Sequence, residues 1–265
     1  MDLGLDGKRA FVAASSKGLG RAVATRLVEE GARVTVSSRS EDNLADAREH
    51  ILDETGADGD AVGTETCDVR EPDGIEAAID GAADAMGGLD VLVTNHGGPP
   101  AMSVEEAGPE DMDDASELVI ESTFAMAKAA LPHLRDGGGA MAHIVSASCR
   151  ESTSNHVVSN ATRPGIYGIS KSVSNRYAAD GVRSNCVAPR GVMTERIEYK
   201  IRDIAERQGI SYEEARAVRE EEVPMDRLGQ PPEFARAVAF VVSPAASFVT
   251  GTVLPVDGGW SRQTF

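Results

Sequence analysis

Apolar runs and helical patterns alternate along the whole chain, and that alternation restricts the fold more than any other feature. Short apolar or β-branched runs occur at 10–14, 33–37 (RVTVS), 61–69, 89–94 (LDVLVT), 143–146 (HIVS), 183–187 and 252–256 (TVLPV). Between them lie stretches of helical periodicity at 20–30, 41–54, 71–86, 109–134 and 231–242. Strands that alternate with helices build βαβ units, which give a parallel sheet with right-handed crossovers. The expected fold is α/β and doubly wound: a mostly parallel seven-stranded sheet with helices on both faces. No repeat, low-complexity linker or break in composition divides the 265 residues, so residues 1–265 are expected to form one domain.

Two segments interrupt the alternation. Residues 97–106 (GGPPAMSVEE) read as a loop rich in Gly and Pro. Residues 194–223 are highly charged and helical in pattern. They follow a late strand, and doubly wound folds bind ligands at the carboxyl ends of their strands. A helical lid or substrate segment is therefore expected over about 192–225; a solvated helical pair with no gating role is the alternative.

Charge and composition exclude several classes. The net charge of −17 argues against a nucleic-acid partner, because phosphate binding needs a basic surface. No stretch of about 18 apolar residues is present, so no membrane span is expected. Residues 1–8 lack the apolar core and leading positive cluster of a signal peptide, which makes a cytoplasmic location the expectation. Cys67, Cys149 and Cys186 are scattered and odd in number, so no metal site is expected. Lysine occurs only at positions 8, 17, 128, 171 and 200, against 43 acidic residues. Such a surface suits a salt-loving microbe; a moderately acidic protein of a mesophile is the alternative.

The first strand runs into Ala13-Ala14-Ser15-Ser16-Lys17-Gly18-Leu19-Gly20 and then directly into a helix. Gly18 and Gly20 let the backbone approach a pyrophosphate, and the helix start offers unpaired N–H groups and a positive dipole end. Residues 11–22 resemble the Thr-Gly-x-x-x-Gly-x-Gly turn of the short-chain dehydrogenase/reductase family, with Ala13 in place of the Thr and Ala14 in place of the first Gly. Other family landmarks follow in order. Cys67-Asp68-Val69 resembles the segment whose acidic residue contacts adenine. Thr94-Asn95-His96-Gly97 is similar to the Asn-Asn-Ala-Gly turn. Ala188-Pro189-Arg190-Gly191-Val192 through Thr194 is similar to the Pro-Gly turn whose Thr holds the nicotinamide carboxamide. Leu254-Pro255-Val256-Asp257-Gly258-Gly259 resembles the C-terminal strand and turn. The resemblance spans nearly the whole chain. It implies a Rossmann domain with a nicotinamide dinucleotide held by Ser15, Lys17, Gly18, Leu19, Gly20, Arg39, Asp68, Val69, Asn95, Gly97, Pro189, Val192 and Thr194. It also implies a homodimer or homotetramer, for which the apolar helix at 123–134 is a candidate interface, or else core.

An NAD-preferring Rossmann site places an acid at the end of the second strand, about 20 residues past the glycines. Here residues 36–40 read VSSRS. Ser38 takes the acid's place and Arg39 follows at once. Arginine suits a 2′-phosphate through bidentate, charge-assisted contacts, and Lys17 lies just before Gly18. The expected cofactor is NADP(H), with NAD(H) as the alternative.

The resemblance implies hydride transfer by a Tyr acid/base, a Lys four residues on, a nearby Ser and an Asn one helix earlier. Tyr167 and Lys171 form a Tyr-x-x-x-Lys pair. Counting back from Asn185 by the family's spacing, however, puts Ser159 in the Tyr slot and Arg163 in the Lys slot. Tyr167 lies eight residues further along, about 12 Å down a helix axis. Either the helix starts two turns late at Pro164, which suits a first helical position, or it is full length and the site is Ser159/Arg163. The second is favoured, because residues 159–165 (SNATRPG) resemble an atypical branch carrying Ser-Asn-x-x-Arg. Cys149 takes the usual Ser slot with Ser148 beside it, and Val119 takes the Asn slot. His96 and His156 are further candidates for supplying a proton.

The leading expectation is therefore an NADP(H)-dependent oxidoreductase acting on a hydroxyl or carbonyl group of a small molecule. The alternatives are a dinucleotide-binding protein with little turnover, serving as sensor or partner subunit, and a non-redox lyase on the same scaffold, since fold does not fix function. An anionic substrate is expected from three arginines at strand ends, Arg150, Arg163 and Arg190. Alternatively, Arg163 holds the ribose while the others face solvent or pair with Glu151 and Glu195.

Overall fold

A computed structural model of the chain describes residues 2–262, apart from the Ser148 side chain. Seven strands form one sheet: β1 (Arg9–Val12), β2 (Arg33–Ser38), β3 (Val62–Thr66), β4 (Val91–Thr94), β5 (Gly139–Ile144), β6 (Val182–Pro189) and β7 (Val253–Val256). Their order is β3-β2-β1-β4-β5-β6-β7, and every neighbouring pair is parallel. The order reverses between β1 and β4. Strand crossovers diverge there, so a crevice opens at the carboxyl ends.

The side-chain period of two in a strand divides the core into two layers. Ala10, Val12, Val91, Val93, Ala140 and Ala142 point to one face. There they meet the helices α1 (Gly18–Glu29), α2 (Glu41–Thr55) and α10 (Pro231–Val242). Phe11, Leu92 and Met141 point to the other, against α3 (Pro72–Met86), α5 (Ser122–Arg135) and α7 (Pro164–Tyr177). Burial on both faces explains why the strands read as continuous apolar runs. Arg183 ties the layers together. Its guanidinium donates to the carbonyls of Val241 (2.7 Å), Val242 (3.1 Å) and Ser243 (2.9 Å) at the carboxyl end of α10, where helical partners run out.

Two elements differ from the sequence reading, and a third follows the favoured one. β5 occupies 139–144 rather than 143–146. Gly139, Ala140 and Ala142 have weak strand propensity, but pairing with both β4 and β6 overrides it. Gly139 must be small, since a Cβ there would lie 2.6 Å from Leu134 Cδ2 and 2.7 Å from the Asp90 carbonyl. The helix expected over 109–134 is divided into α4 (Pro109–Ser116), a π-helical turn (Glu117–Glu121) and α5. Residues 157–177 form one helical rod, α6 (Val157–Thr162) followed by α7. Arg163 at the joint keeps helical dihedrals (φ −60°, ψ −35°), and its N–H bonds to the Ser159 carbonyl at 3.1 Å. Pro164 breaks the hydrogen-bond ladder without ending the rod.

The segment after β6 forms α8 (Glu195–Gln208) and α9 (Tyr212–Glu221). The pair has its own small core of Ile201, Ala205, Ala215, Val223, Leu228 and Trp260. Among the described residues no helix is long and apolar enough to cross a membrane, and no cluster of His, Cys, Asp or Glu could hold a metal.

Candidate active site

The turn between β1 and α1 is shaped by three small residues. Gly18 has φ +58°, and no heavy atom lies within 4 Å of where its Cβ would be, so the turn faces open space. Gly20 must lack a Cβ, which would lie 2.7 Å from the Ala14 carbonyl and 2.8 Å from Ser15 Cα. Ala14 adopts φ +45°, in the region that favours glycine, and this costs about 1–2 kcal/mol. Its carbonyl accepts from Asn95 Nδ2 at 3.0 Å, which ties the turn to the end of β4. No side chain caps α1 and no acid occupies its first turn, so its leading N–H groups and dipole face the crevice. Ser15 is fully buried. Its hydroxyl donates to the Val12 carbonyl (2.6 Å) and accepts from Ser37 N–H (3.1 Å). Its side chain braces the turn from inside.

Two cavities meet at this turn. The larger, about 520 Å³, is lined by Lys17, Gly18, Leu19, Asn95 and Gly97, and also by Pro189, Val192 and Thr194. The smaller, about 370 Å³, shares Ala14, Lys17 and Gly97 and extends past Ser16, Ser38, Arg39, Asp68 and Val69. Arg39 is 75% exposed and its nearest carboxylate contact is Asp68 at 3.9 Å. β2 ends in Ser38, whose hydroxyl lies 3.2 Å from that of Ser16. A dinucleotide fits this pair of cavities: small residues at the turn, helix N–H groups at the junction, and polar groups at the far end. Thr194 caps α8, its hydroxyl accepting from Ile197 N–H at 3.4 Å.

The helical rod decides which catalytic candidates reach the larger cavity. His156, Ser159 and Arg163, spaced i, i+3 and i+7, share one helical face and all line it. Arg163 Nε donates to Ser159 Oγ at 3.1 Å and Nη1 to the Val145 carbonyl at 2.9 Å. Tyr167 lies outside this lining, packed with Val119, Val145, Ile166 and Cys186. Its hydroxyl is 3.5 Å from the Ser146 carbonyl, and burial pushes the phenol's pKa up, away from acid/base use. Lys171 Nζ points to the Gly251 carbonyl at 3.5 Å. Cys149 packs beside Tyr167, and burial raises its thiol pKa. Ser148 lies outside the described side chains. Val119 is wholly buried in the π-helical turn.

The two histidine candidates separate. His96 is buried, with Nδ1 2.7 Å from the Gly97 carbonyl. Burial, followed by the charge of Arg163, lowers its pKa to about 3. His156 faces the cavity, with Nδ1 3.0 Å from Thr153 Oγ1 and Nε2 3.3 Å from Lys200 Nζ.

The expected trio Arg150, Arg163 and Arg190 does not converge. Arg163 and Arg190 line the cavity, but Arg150 does not. Arg190 is paired with Glu151 at 2.8 Å and stacks over Trp260, 4.7 Å from its centroid. Arg150 follows the short turn after β5 (Ala147–Cys149). Ser146, Thr153, Arg196, Lys200 and Arg219 line the cavity instead. The last three come from the charged segment after β6; their i, i+4 spacing at 196 and 200 was the available signal.

The sequence profile of the family described as enoyl-(acyl carrier protein) reductase matches residues 13–261. The chain is 35% identical over 260 residues to glucose 1-dehydrogenase 2 of Bacillus subtilis (strain 168), covering 96% of this chain and 95% of that one. The solved structure of L-sorbose reductase from Gluconobacter frateurii, complexed with NADPH and L-sorbose, superposes with a TM-score of 0.93. Its identity is 27%, over 99% of this chain and 100% of that one. A short-chain oxidoreductase from Pseudomonas aeruginosa PAO1, described as containing an atypical catalytic centre, superposes with a TM-score of 0.90. Its identity is 26%, over 98% and 100% of the two chains.

Proposed function

The chain belongs to the short-chain dehydrogenase/reductase family, and from that premise we propose an NADP(H)-dependent oxidoreductase acting on a hydroxyl or carbonyl group of a small anionic molecule. One observation carries the reading: a single cavity joins the phosphate-binding turn to Ser159 and Arg163. The cofactor, when bound, supplies or accepts the hydride. Gly18 and Leu19 N–H groups hold its pyrophosphate, Lys17 and Arg39 its 2′-phosphate, and Asp68 and Val69 flank the adenine. Asn95, Gly97, Pro189, Val192 and Thr194 bound the nicotinamide end. NADPH in the sorbose reductase complex supports the same choice.

Ser159 and Arg163 take the work at the substrate oxygen. Ser159 Oγ accepts from Arg163 Nε, which leaves its O–H to donate to that oxygen. Neither an alkanol nor a guanidinium exchanges protons near neutral pH. His156, one helical turn before Ser159, is the group suited to do so. Burial, then Lys200, Arg196 and Arg163, lowers its pKa, so it rests as a neutral base. The segment over about 192–225 serves as substrate wall, and the chain acts as one cytoplasmic domain. It pairs as a homodimer or homotetramer, for which Phe124 on α5, 57% exposed, is a contact point. The absence of a phenol from the described cavity lining favours one alternative, a dinucleotide-binding protein with little turnover.

The test is direct. NADPH should bind the purified protein at least tenfold more tightly than NADH, and NADPH should be oxidised with some members of a panel of keto acids and neutral ketones. Equal NADH affinity would refute the cofactor assignment. Tight NADPH binding with no oxidation across the panel would select the non-catalytic alternative.

A further inference from the structure

The cavity that joins the phosphate-binding turn to Ser159 has a charge pattern opposite to that of the chain. Overall 43 acidic residues face 26 basic ones. Yet His156, Arg163, Arg190, Arg196, Lys200 and Arg219 all line this cavity, and Glu195 is the one carboxylate among its described lining residues.

Within that group, carboxylate partners are scarce. Arg190 has Glu151. Arg163, Arg196, Lys200 and Arg219 have no carboxylate within 4 Å among the described residues. Arg196, from α8, donates to the Pro99 carbonyl at 3.1 Å; its guanidinium occupies the space that a Cβ at Gly98 would fill. Lys200, one turn on, donates to His156 Nε2. Arg219, from α9, lies 5.6 Å from the Trp260 centroid, and its Nε is buried without a partner. The cations also act on one another. Burial, then Arg196 and Arg219, depresses the Lys200 ammonium. Like charges held together in a partly buried site are stabilised by an anion between them.

We propose that Arg196, Lys200 and Arg219 form an oxyanion-binding subsite for a carboxylate or phosphate carried by the substrate. The subsite lies on α8 and α9, in the cavity that also takes in the phosphate-binding turn. The cofactor's phosphates fall to Lys17, Arg39 and α1 in the reading above, which leaves this second cluster for the substrate. The class implied is a small hydroxy or keto compound with an anionic group remote from the reacting carbon, such as a sugar acid, a keto dicarboxylate or a sugar phosphate. Trp260 backs the subsite and fixes Arg190 and Arg219 by cation–π contact. The inference rests on the oxidoreductase reading for the word substrate, but not for the existence of the site.

The experiment is calorimetric titration of the full chain saturated with NADP+. The probes are D-gluconate, 2-oxoglutarate and D-glucose 6-phosphate, against the neutral D-sorbitol and D-glucose. At least one anionic probe is expected to bind tenfold or more tightly than the neutral ones, with affinity falling as salt rises. The carboxylate and phosphate probes distinguish which oxyanion is preferred. Lys200→Met and Arg219→Gln should each weaken that binding roughly tenfold or more. Lys200→Arg, which keeps the charge, should recover most of it, and NADP+ affinity should change less than threefold. Neutral probes binding as tightly as anions would overturn the subsite. So would variants that weaken NADP+ in proportion while leaving the anion untouched. Melting curves identify a variant that fails to fold, and in that case the salt and charge dependence of the unaltered chain decides. Anion binding without NADPH oxidation would leave the subsite standing and remove the oxidoreductase reading.

Discussion

Gly18 and Ala14 stand in the same turn, both with positive φ. A substituent at Gly18 meets open cavity, and aspartate tolerates φ +58° better than most residues. Gly18→Asp should therefore fold, with its carboxylate placed where the first-turn N–H groups of α1 would take a pyrophosphate. NADPH affinity should fall at least tenfold, since one lost charge-assisted contact is worth about 1.5–3 kcal/mol and repulsion adds to it. Unchanged fluorescence enhancement of NADPH by a folded variant would show that the turn is not the phosphate site. His143 is a different case. It is wholly buried on β5, between Thr94 Oγ1 (2.9 Å) and Ser184 Oγ (3.0 Å), and burial lowers its pKa to about 4. The unfolded chain binds that proton near pH 6.5, whereas the folded chain resists it until about pH 4. Stability is thus fully present above pH 6.5 and falls as pH drops, by about 1.4 kcal/mol per pH unit for this group. His96, lowered to about 3, adds in the same direction. Urea midpoints should fall between pH 7 and 5, and the fall should be smaller in His143→Gln. An identical slope in that variant would remove His143 as a cause.

At the scale of elements, the rod of α6 and α7 carries the consequence. Pro164 opens α7 but not the rod, because α6 packs Val158 and Thr162 into the interior and runs on into it. The extra two turns bring Ser159 and Arg163 to the cavity and carry Tyr167 into the cluster around Cys186. Tyr167→Phe should then leave kcat/KM within about threefold, since it removes only the hydroxyl's contacts to the Ser146 carbonyl and to Cys149 and keeps the apolar packing. Ser159→Ala should lower turnover by a factor on the order of 10 or more, as loss of one hydrogen bond to a charged oxygen does. A loss of 10²- to 10⁴-fold in Tyr167→Phe, the scale of general acid/base catalysis, with NADPH binding intact, would return catalysis to Tyr167 and Lys171.

At the scale of the whole molecule, charge is unevenly spread. The −17 net charge disfavours the binding of a polyanion on electrostatic grounds, while α8 and α9 gather cations at the cavity. Repulsion among the surface carboxylates should be relieved by salt, whose screening length falls to about 3 Å at 1 M. The melting temperature should rise between 0.1 and 2 M KCl. A flat or falling curve would count against a surface adapted to salt. The two effects of salt oppose each other: the same screening that stabilises the fold should weaken an anion held by Arg196, Lys200 and Arg219.

Local pattern was sufficient for the architecture. Strand–helix alternation, the period of two within strands and the glycines at 18 and 20 are short-range properties, and each survives in the fold. Where small residues replaced β-branched ones, as at the start of β5, the pattern was silent and sheet pairing decided. The site was legible in part. Lys17, Gly18 and Arg39 announce themselves by spacing, whereas Ser15 has the same local signature and turns inward to Val12 and Ser37. Spacing raised both Tyr167/Lys171 and Ser159/Arg163; only the packing of the rod against the sheet places one pair at the cavity. The arginines illustrate the limit most clearly. Arg150 follows a strand end but is not among the cavity's lining residues, while Arg196 and Arg219, 33 and 56 residues beyond Arg163, are brought to it by the fold. Sequence determines which residues share a helix face or a turn; which faces meet depends on long-range packing, and that is settled in three dimensions.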